Sequence, residues 1–486
     1  MKIFKGFKIK GLNSIKESFA TKQVKYGGYA ALLTLAVIIG LILLNLMVGQ
    51  LAPQIDLTEN QLFSLSEQTI QLLDRIDTPV TFFGLWRPGE EDNNLMNVID
   101  LYLARNRNIS LEIIDPDRNP GFVMRYDRER RGIARGSLIV EGEKAFRIIA
   151  PHEMYEFAMS PAGAVTLTGM AMERRITSAL LFASTGETPV IYEITGHMQT
   201  PLAALGFAEI LDRENYILRS LNLAISAVPD DAAGVILNNP QRDLSPVEAE
   251  RLLDYLDRGG RLLVIANYLI RELPNLNAVL ASYGLMFDYG IVLETDPGFL
   301  ILDPRTVWPA MLDHVITEPL ADRTRTPVIM VEAMPLSILE TRRRTIEISP
   351  LVTSSPSAFL RTDLNDNTHD RLASDISGPF ILAAAVVDPV WVREDEPQAR
   401  IVAIGCGALL PLATQGIDGN RDLFMNSLTW LQDRPENITV RTRSLLLLPM
   451  TLNLAQIVIF GAVFILVIPA AFFIAGFIVW LKRRHL

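Results

Sequence analysis

The chain has 486 residues, 49% of them hydrophobic and 21% charged, with a formal net charge of −10; it is too long for one domain and too apolar to be disordered. Positive charge gathers at the two ends, seven lysines against one glutamate in Met1–Lys25 and then Lys482, Arg483 and Arg484, so the acidic middle lacks the clustered positive potential that nucleic-acid binding needs. One cysteine, Cys406, allows neither an internal disulfide nor a paired-cysteine metal knuckle.

The basic head, residues 1–25, interleaves Lys2, Lys5, Lys8 and Lys10 with Ile3, Phe4, Phe7 and Ile9, a pattern suited to anionic lipid or to a retention signal. Residues 26–49 are expected to form a first transmembrane helix, because Gly27–Gly49 carries no charge and would cover about 34 Å, against roughly 30 Å of hydrocarbon. A second is expected over 454–481, where Ile457–Leu481 is charge-free and ends in Trp480 before the basic tail, 482–486. Lys and Arg flanking a span stay on the cytoplasmic side. The expected topology is therefore two-pass in a bacterial cytoplasmic (inner) membrane, with both termini cytoplasmic, the bilayer as a partner and the main domain extracytoplasmic.

Between the spans, Ser66 is a helix N-cap for Glu67–Ile76. Strands follow at Pro79–Trp86 and Ile109–Asp115, helices at Asn94–Arg105 and Phe122–Gly132, and a hairpin at Ser137–Glu141 and Ala145–Ala150 around Gly142. This βαβαββ order over residues 50–150 is that of a thioredoxin-like domain. Its first helix is preceded by Arg87–Asn93, which holds no cysteine, so thiol redox chemistry is excluded there and a scaffold or interaction role remains.

A bridging segment, 151–187, contains a helix expected over Met170–Ser184. Strands and helices then alternate: Pro189–Thr195, Pro201–Asp212, Tyr216–Leu221, Gly234–Asn238, Pro246–Asp257 and Arg261–Asn267. Continuous apolar strands such as Leu262–Ala266 imply a largely parallel sheet covered on both faces, a doubly wound α/β domain over 188–435. An insertion at about 295–375 interrupts it before Phe380–Val387, Ala399–Gly405 and a helix at Arg421–Leu431; a linker, 436–453, follows.

Several stretches together resemble the GldG-like, gliding-motility-associated auxiliary proteins of ABC transport systems. They are Leu57 and Thr58 with Phe63–Ser66 and Thr69, then Thr78–Val80, Glu173 with Ile176–Ala179, and Ile194–His197. Asp257–Leu262, His314 with Ile316 and Thr317, and Gly419 and Asn420 with Leu423, Asn426, Trp430 and Leu431 complete the set. The resemblance implies an accessory subunit working with a separate permease and a separate ATPase, whose second domain is similar to glutamine amidotransferases. The chain departs from the family pattern at Met198 and Gln199, where Gly-Glu is usual, and near Cys406.

No GxxxxGK[ST] phosphate loop occurs in the sequence, so ATP hydrolysis by that route is excluded. Cys406, between Gly405 and Gly407 at a strand end, with His197 as base, would be the nucleophile of a hydrolase. A cysteine this late in the chain does not fit the amidotransferase order, and a buried apolar role is preferred. Thr195, Gly196 and His197 are a candidate ligand crevice at the carboxyl edge of the sheet, with a backbone-satisfied turn as the plainer reading. His152 with Glu153 and Glu156 lacks the second histidine of a helical zinc site. Asp115, Asp117 and Arg118 read as Asx-turn formers rather than a calcium loop. The expectation is a non-catalytic membrane-anchored auxiliary subunit that needs no cofactor or metal, binds cargo, envelope components or a second copy as a homodimer, and does not engage nucleic acid. The alternatives are a membrane-anchored hydrolase and a ligand-binding sensor.

Overall fold

The computed structural model describes residues 32–43, 64–127, 132–159, 165–269, 273–366, 368–388, 398–432, 443–444 and 461–484. Residues 1–63 and 64–486 form two compact units. In the first, residues 32–43 are helical and exposed.

The expected transmembrane pair is corrected by the structure. Among the described residues no helix is long and apolar enough to cross a membrane. Within the expected span 26–49 the described helix is residues 32–43, and the rest lies outside the described residues. In 454–481, the π-helical turn Val463–Val467 interrupts the helix and leaves Ile468–Arg484, 17 residues, which at the α-helical rise is about 25 Å against roughly 30 Å of hydrocarbon. A charge-free run in sequence is thus not matched by one unbroken α-helix of spanning length. The two-pass, inner-membrane topology and the membrane-anchored description built on it fall with this finding, and the architecture is a mixed α/β fold.

The second unit begins with α1 (Glu67–Arg75), capped as its sequence predicts: Ser66 Oγ accepts from Thr69 N at 3.3 Å. Then come β1 (Val80–Gly84), α2 (Asn93–Arg105), β2 (Ile109–Ile113), α3 (Pro120–Tyr126), β3 (Leu138–Glu141) and β4 (Phe146–Ile149). They build a four-stranded sheet in the order β2-β1-β3-β4, with β1 parallel to β2 and antiparallel to β3. A hairpin that the pattern did not show, β5 (Tyr155–Met159) and β6 (Val165–Met170), precedes the bridging helix α4 (Met172–Thr185). The α4 residues Ile176, Leu180 and Ala183 pack on Val80, Phe82, Leu138 and Val140 and close this core.

The larger sheet carries β7 (Val190–Ile194), β8 (Ile217–Leu221), β9 (Ala232–Asn238) and β10 (Arg261–Ile265), with helices α5 (Phe207–Arg213), α6 (Pro246–Asp257) and α7 (Pro274–Ala281). The helix expected over Pro201–Asp212 is shorter because 201–206 is a series of turns ending in Gly206 at φ +80°. An insertion then supplies short strands: β11 (Leu285–Phe287), β12 (Ile291–Leu293), β13 (Leu300–Ile301), β14 (Asp303–Val307), β15 (Ala310–Met311), β16 (Met330–Val331), β17 (Leu336–Ile338), β18 (Glu347–Thr353), β19 (Phe359–Arg361) and β20 (Ile376–Ser377). The chain returns through β21 (Ile381–Asp388), β22 (Ala399–Ile404), α8 (Leu409–Thr414) and α9 (Asp418–Leu431).

Five neighbouring strands, β8-β7-β9-β10-β22, run parallel. The four inside β8 are buried along most of their length because both faces are covered, whereas β8 at the edge exposes Arg219 and Ser220. Alternate residues divide between two cores: Ile191, Ile236, Leu263 and Val402 meet α5 and α9, while Tyr192, Val235, Leu262 and Ile401 meet α6 and α7. β21 adds on antiparallel.

The insertion is tied to the sheet by Asn420. Its Oδ1 accepts from Ile329 N at 2.8 Å, and its Nδ2 donates to Ile329 O at 2.8 Å and to Leu409 O at 3.2 Å. Replacing Asn420 with Ala would strand buried backbone groups of Ile329 and should cost about 2–4 kcal/mol, with faster amide exchange at Ile329. Unchanged denaturant stability in Asn420→Ala would refute this tethering role.

Candidate functional site: the carboxyl edge of the parallel sheet

The first strand in sequence, β7, lies between β8 and β9, so the chain leaves β7 in one direction and returns past it to β9. Ligands of open α/β sheets favour the carboxyl-end crevice at such a reversal. Thr195, Gly196 and His197 leave β7 at that edge, and Asn238, Asn239 and Gln241 leave β9 beside them.

Hydrogen bonds from β8, from its own loop and from the loop after β9 hold this turn. Thr195 N donates to Leu221 O at 2.8 Å, and Gly196 takes φ +107°, which favours glycine. His197 is 2% exposed. Its N–H donates to Gln199 Oε1 at 3.0 Å, and its carbonyl accepts from Gln241 N at 2.8 Å. Across the reversal, His197 Nε2 sits 3.3 Å from Glu248 Oε1 in the first turn of α6, while His197 Nδ1 is buried without a hydrogen-bond partner.

Glu248 is fixed by a reciprocal cap: Ser245 N donates to its Oε2 at 2.8 Å, and Ser245 Oγ accepts from its N at 3.4 Å. Burial pushes the Glu248 carboxyl up, but the bonds from Ser245 and the His197 ring outweigh it and hold the carboxyl below its ordinary range. A carboxylate therefore faces Nε2. It can only accept, so Nε2 carries a proton and a neutral ring leaves a lone pair on Nδ1.

A belt of amides continues from this histidine. Gln241 Nε2 donates to Asn239 O at 3.0 Å and to Asn239 Oδ1 at 3.3 Å. Asn267, after β10, donates to Asn239 Oδ1 and, at 3.1 Å, to Pro240 O. A Cβ at Gly407 would lie 2.5 Å from Asn239 Oδ1 and 2.8 Å from Asn267 Cβ, so only glycine leaves room for that pair. Met198 and Asn239 hold φ of +59° and +45°, strain of a kind that collects at binding and catalytic positions.

Sequence reasoning reached Thr195, Gly196 and His197 but missed Glu248 and the amides. The legible signal was asparagine directly following two apolar strands, Leu237–Asn238–Asn239 and Ile265–Ala266–Asn267.

Cys406 lies two residues beyond the end of β22 on the same edge, yet the insertion roofs it. Its Sγ donates to Val331 O at 3.6 Å, and Met334 N donates to Gly405 O at 2.7 Å. Burial pushes the thiol up to about 11. Its contacts are with backbone rather than with His197, so the nucleophile–base pair considered from sequence is not assembled. His152 lies exposed in a short 3-10 turn, and no cluster among the described residues could hold a metal ion. Asp115 Oδ1 accepts from Asp117 N at 3.0 Å, the expected Asx turn, while Asp117 Oδ2 accepts from Arg87 Nη2 at 2.7 Å.

Among comparisons with known proteins, the model of a domain of unknown function, DUF7088, matches residues 59–154. No curated protein matches. Of the solved structures, the mmIFT52 N-terminal domain is 15% identical, with 50% of this chain and 97% of that chain covered and a TM-score of 0.37. A thua-like protein from Parabacteroides merdae is 13% identical, with 54% and 94% covered and a TM-score of 0.29. The exo-beta-1,4-mannosidase Op5Man5 from Opitutaceae bacterium strain TAV5 is 8% identical, with 69% and 48% covered and a TM-score of 0.27. Likenesses this loose transfer no function.

With its thiol at about 11, Cys406 should be about one part in a thousand thiolate at pH 8. Iodoacetamide should therefore leave it unmodified in the native chain and label it after denaturation. Gly405→Ala, whose Cβ would meet Met334 O at 1.8 Å, should displace the roof and speed native labelling. Rapid alkylation of the unmodified native chain would contradict the burial.

Proposed function

We propose that the chain is a non-catalytic accessory subunit of an ABC-type transport assembly, in which the α/β region binds and separate subunits supply the ATPase and the pathway. The observation that carries this reading is what the family-like residues do. They pair with one another over long sequence distances and serve packing, not reaction.

At one such joint, Ser66 N donates to Glu173 Oε1 at 2.6 Å, Thr69 Oγ1 lies 3.0 Å from Thr177 Oγ1, and Tyr102 OH lies 2.6 Å from Thr177 Oγ1. At another, His314 packs edge-on against Trp430 with ring centroids 5.4 Å apart, and Asn426 Nδ2 donates to Ile316 O at 3.0 Å. Burial holds the His314 ring below its ordinary value, with Asp313 opposing, as suits a packed imidazole rather than a proton carrier. Gly419 is required because a Cβ there would stand 2.3 Å from Pro327 O. Stretches resembling an accessory family thus serve to hold the fold together, while the candidate nucleophile Cys406 is buried.

Tagging the full chain in its native host, extracting gently and identifying the recovered proteins tests the assignment. A Walker-motif ATPase and a multi-span permease should be recovered in fixed ratio. Their absence under conditions that keep other transport assemblies intact would overturn it, as would a hydrolytic activity abolished by Cys406→Ala.

A further inference from the structure

β2 forms one edge of the four-stranded sheet, and two bonds fix which of its backbone groups point outward. Asn108 O accepts from Val80 N at 2.9 Å, and Ile114 N donates to Gly84 O at 2.9 Å. Successive residues of a strand turn their N–H and C=O to opposite sides. Ser110 and Glu112 therefore face β1, and Ile109, Leu111 and Ile113 present their backbone groups at the edge. Such an edge is a template for another strand, and folded chains blunt it with proline, a central charge or a covering element. β2 contains no proline, and its one charged residue, Glu112, stands off centre.

The strand is complementary to itself. Turned about a two-fold axis through Leu111 and paired antiparallel, it sets Leu111 against Leu111 and Ile109 against Ile113 of a second copy. These are hydrogen-bonded pairs, which exchange both main-chain bonds. Their side chains share the face on which Ile109 and Leu111 join Phe82 in the core. Ile113, 39% exposed, continues that apolar row, and the second copy's Ile109 comes beside it. On the other face, exposed Ser110 meets the second copy's exposed Glu112. A hydroxyl donor then opposes a carboxylate at the closer spacing of a non-hydrogen-bonded pair. Past the strand ends the same axis brings exposed Arg107 toward the second copy's Asp115, opposite in sign.

The register is selective. An axis through Glu112 would oppose two carboxylates, which is destabilising. β8, the exposed edge of the large sheet, offers no equivalent, because pairing about its centre would oppose two Arg219 guanidiniums.

We propose that two copies of this chain associate through β2, antiparallel about Leu111, so that their four-stranded sheets become one continuous sheet. A two-fold axis lets the same short segment serve both partners. The dimer carries two α/β regions, and its formation does not depend on the transport reading.

Sedimentation equilibrium of the full chain over about 1–100 µM, the range of a small and reversible interface, tests the proposal, with a mild detergent to cover the exposed apolar helices. The chain should pass from monomer to dimer. Ser110→Glu sets two carboxylates opposite each other twice per dimer and should weaken association about tenfold. Adding Glu112→Lys to it makes those pairs opposite in sign and should restore the dimer. Both positions are exposed, so the fold should survive, and a second measurement uses the unaltered chain. Amide exchange at Leu111 and Ile113 should slow as concentration rises, because their outward N–H groups become bonded. A monomer throughout that range, a dimer indifferent to Ser110→Glu, no recovery in the double variant, or concentration-independent exchange at Leu111 and Ile113 would overturn it.

Discussion

The site depends on one close approach of backbone to backbone. The carbonyl of Met334 occupies the space that a side chain at Gly405 would need, and the Met334 amide bonds to Gly405 O at 2.7 Å. With no Cβ between them, the insertion lies directly on the carboxyl end of β22, where Val331 covers Cys406 and Asn420 grips both backbone groups of Ile329. The insertion therefore divides the edge of the sheet in two. At β22 the edge is covered and Cys406 is buried; at β7 and β9 it carries the polar side chains of His197, Asn238 and Asn239. The burial of the cysteine follows from this division.

The small β-sheet and the large one are joined by ion pairs as well as by the chain. On α4, Arg174 meets Glu156 at 3.0 Å and Arg175 meets Glu214 at 3.0 Å, while Arg421 of α9 reaches Glu156 of β5 at 3.6 Å. These arginines are largely buried, and burial brings Arg175 down to about 10. Breaking one partner of a buried pair leaves a stranded charge, whereas the intact set gives less net stability than its number suggests. The joint thus specifies alignment more than it adds stability. A second buried pair acts within the insertion: Arg361 bonds Asp375 through Nε and Nη2, both at 2.9 Å, and takes carbonyls of Asp366, Thr368 and Asp370, so a polar loop closes around an internal cation.

Local signals located most regular elements well. Ser66 before Glu67, Ser245-Pro246 before Glu248, and the apolar runs of β7, β9, β10 and β22 each act through neighbours in sequence, and each element lies within a few residues of its expected place. The helix predicted over Pro201–Asp212 failed at its start because Gly206 takes a positive φ that ends regular pairing. The strands of the insertion were underspecified because most have only two or three residues, too few for a period to show. The charge-free runs failed differently: composition measures how apolar a segment is, but the length of unbroken α-helix is set by backbone geometry, and the π-turn at Val463–Val467 leaves no trace in composition.

From the sequence alone came the alternation of strands and helices, the lack of a phosphate loop, the impossibility of a disulfide, and Thr195, Gly196 and His197 as residues to watch, since all of these follow from residue identity and short spacing. Tertiary structure decided which partners those residues meet. Glu248 is 51 positions from His197, and the Val331 carbonyl is 75 from Cys406. No local pattern encodes distances of that kind; they arise when parallel strands bring their carboxyl ends to one edge and an insertion folds back over part of it.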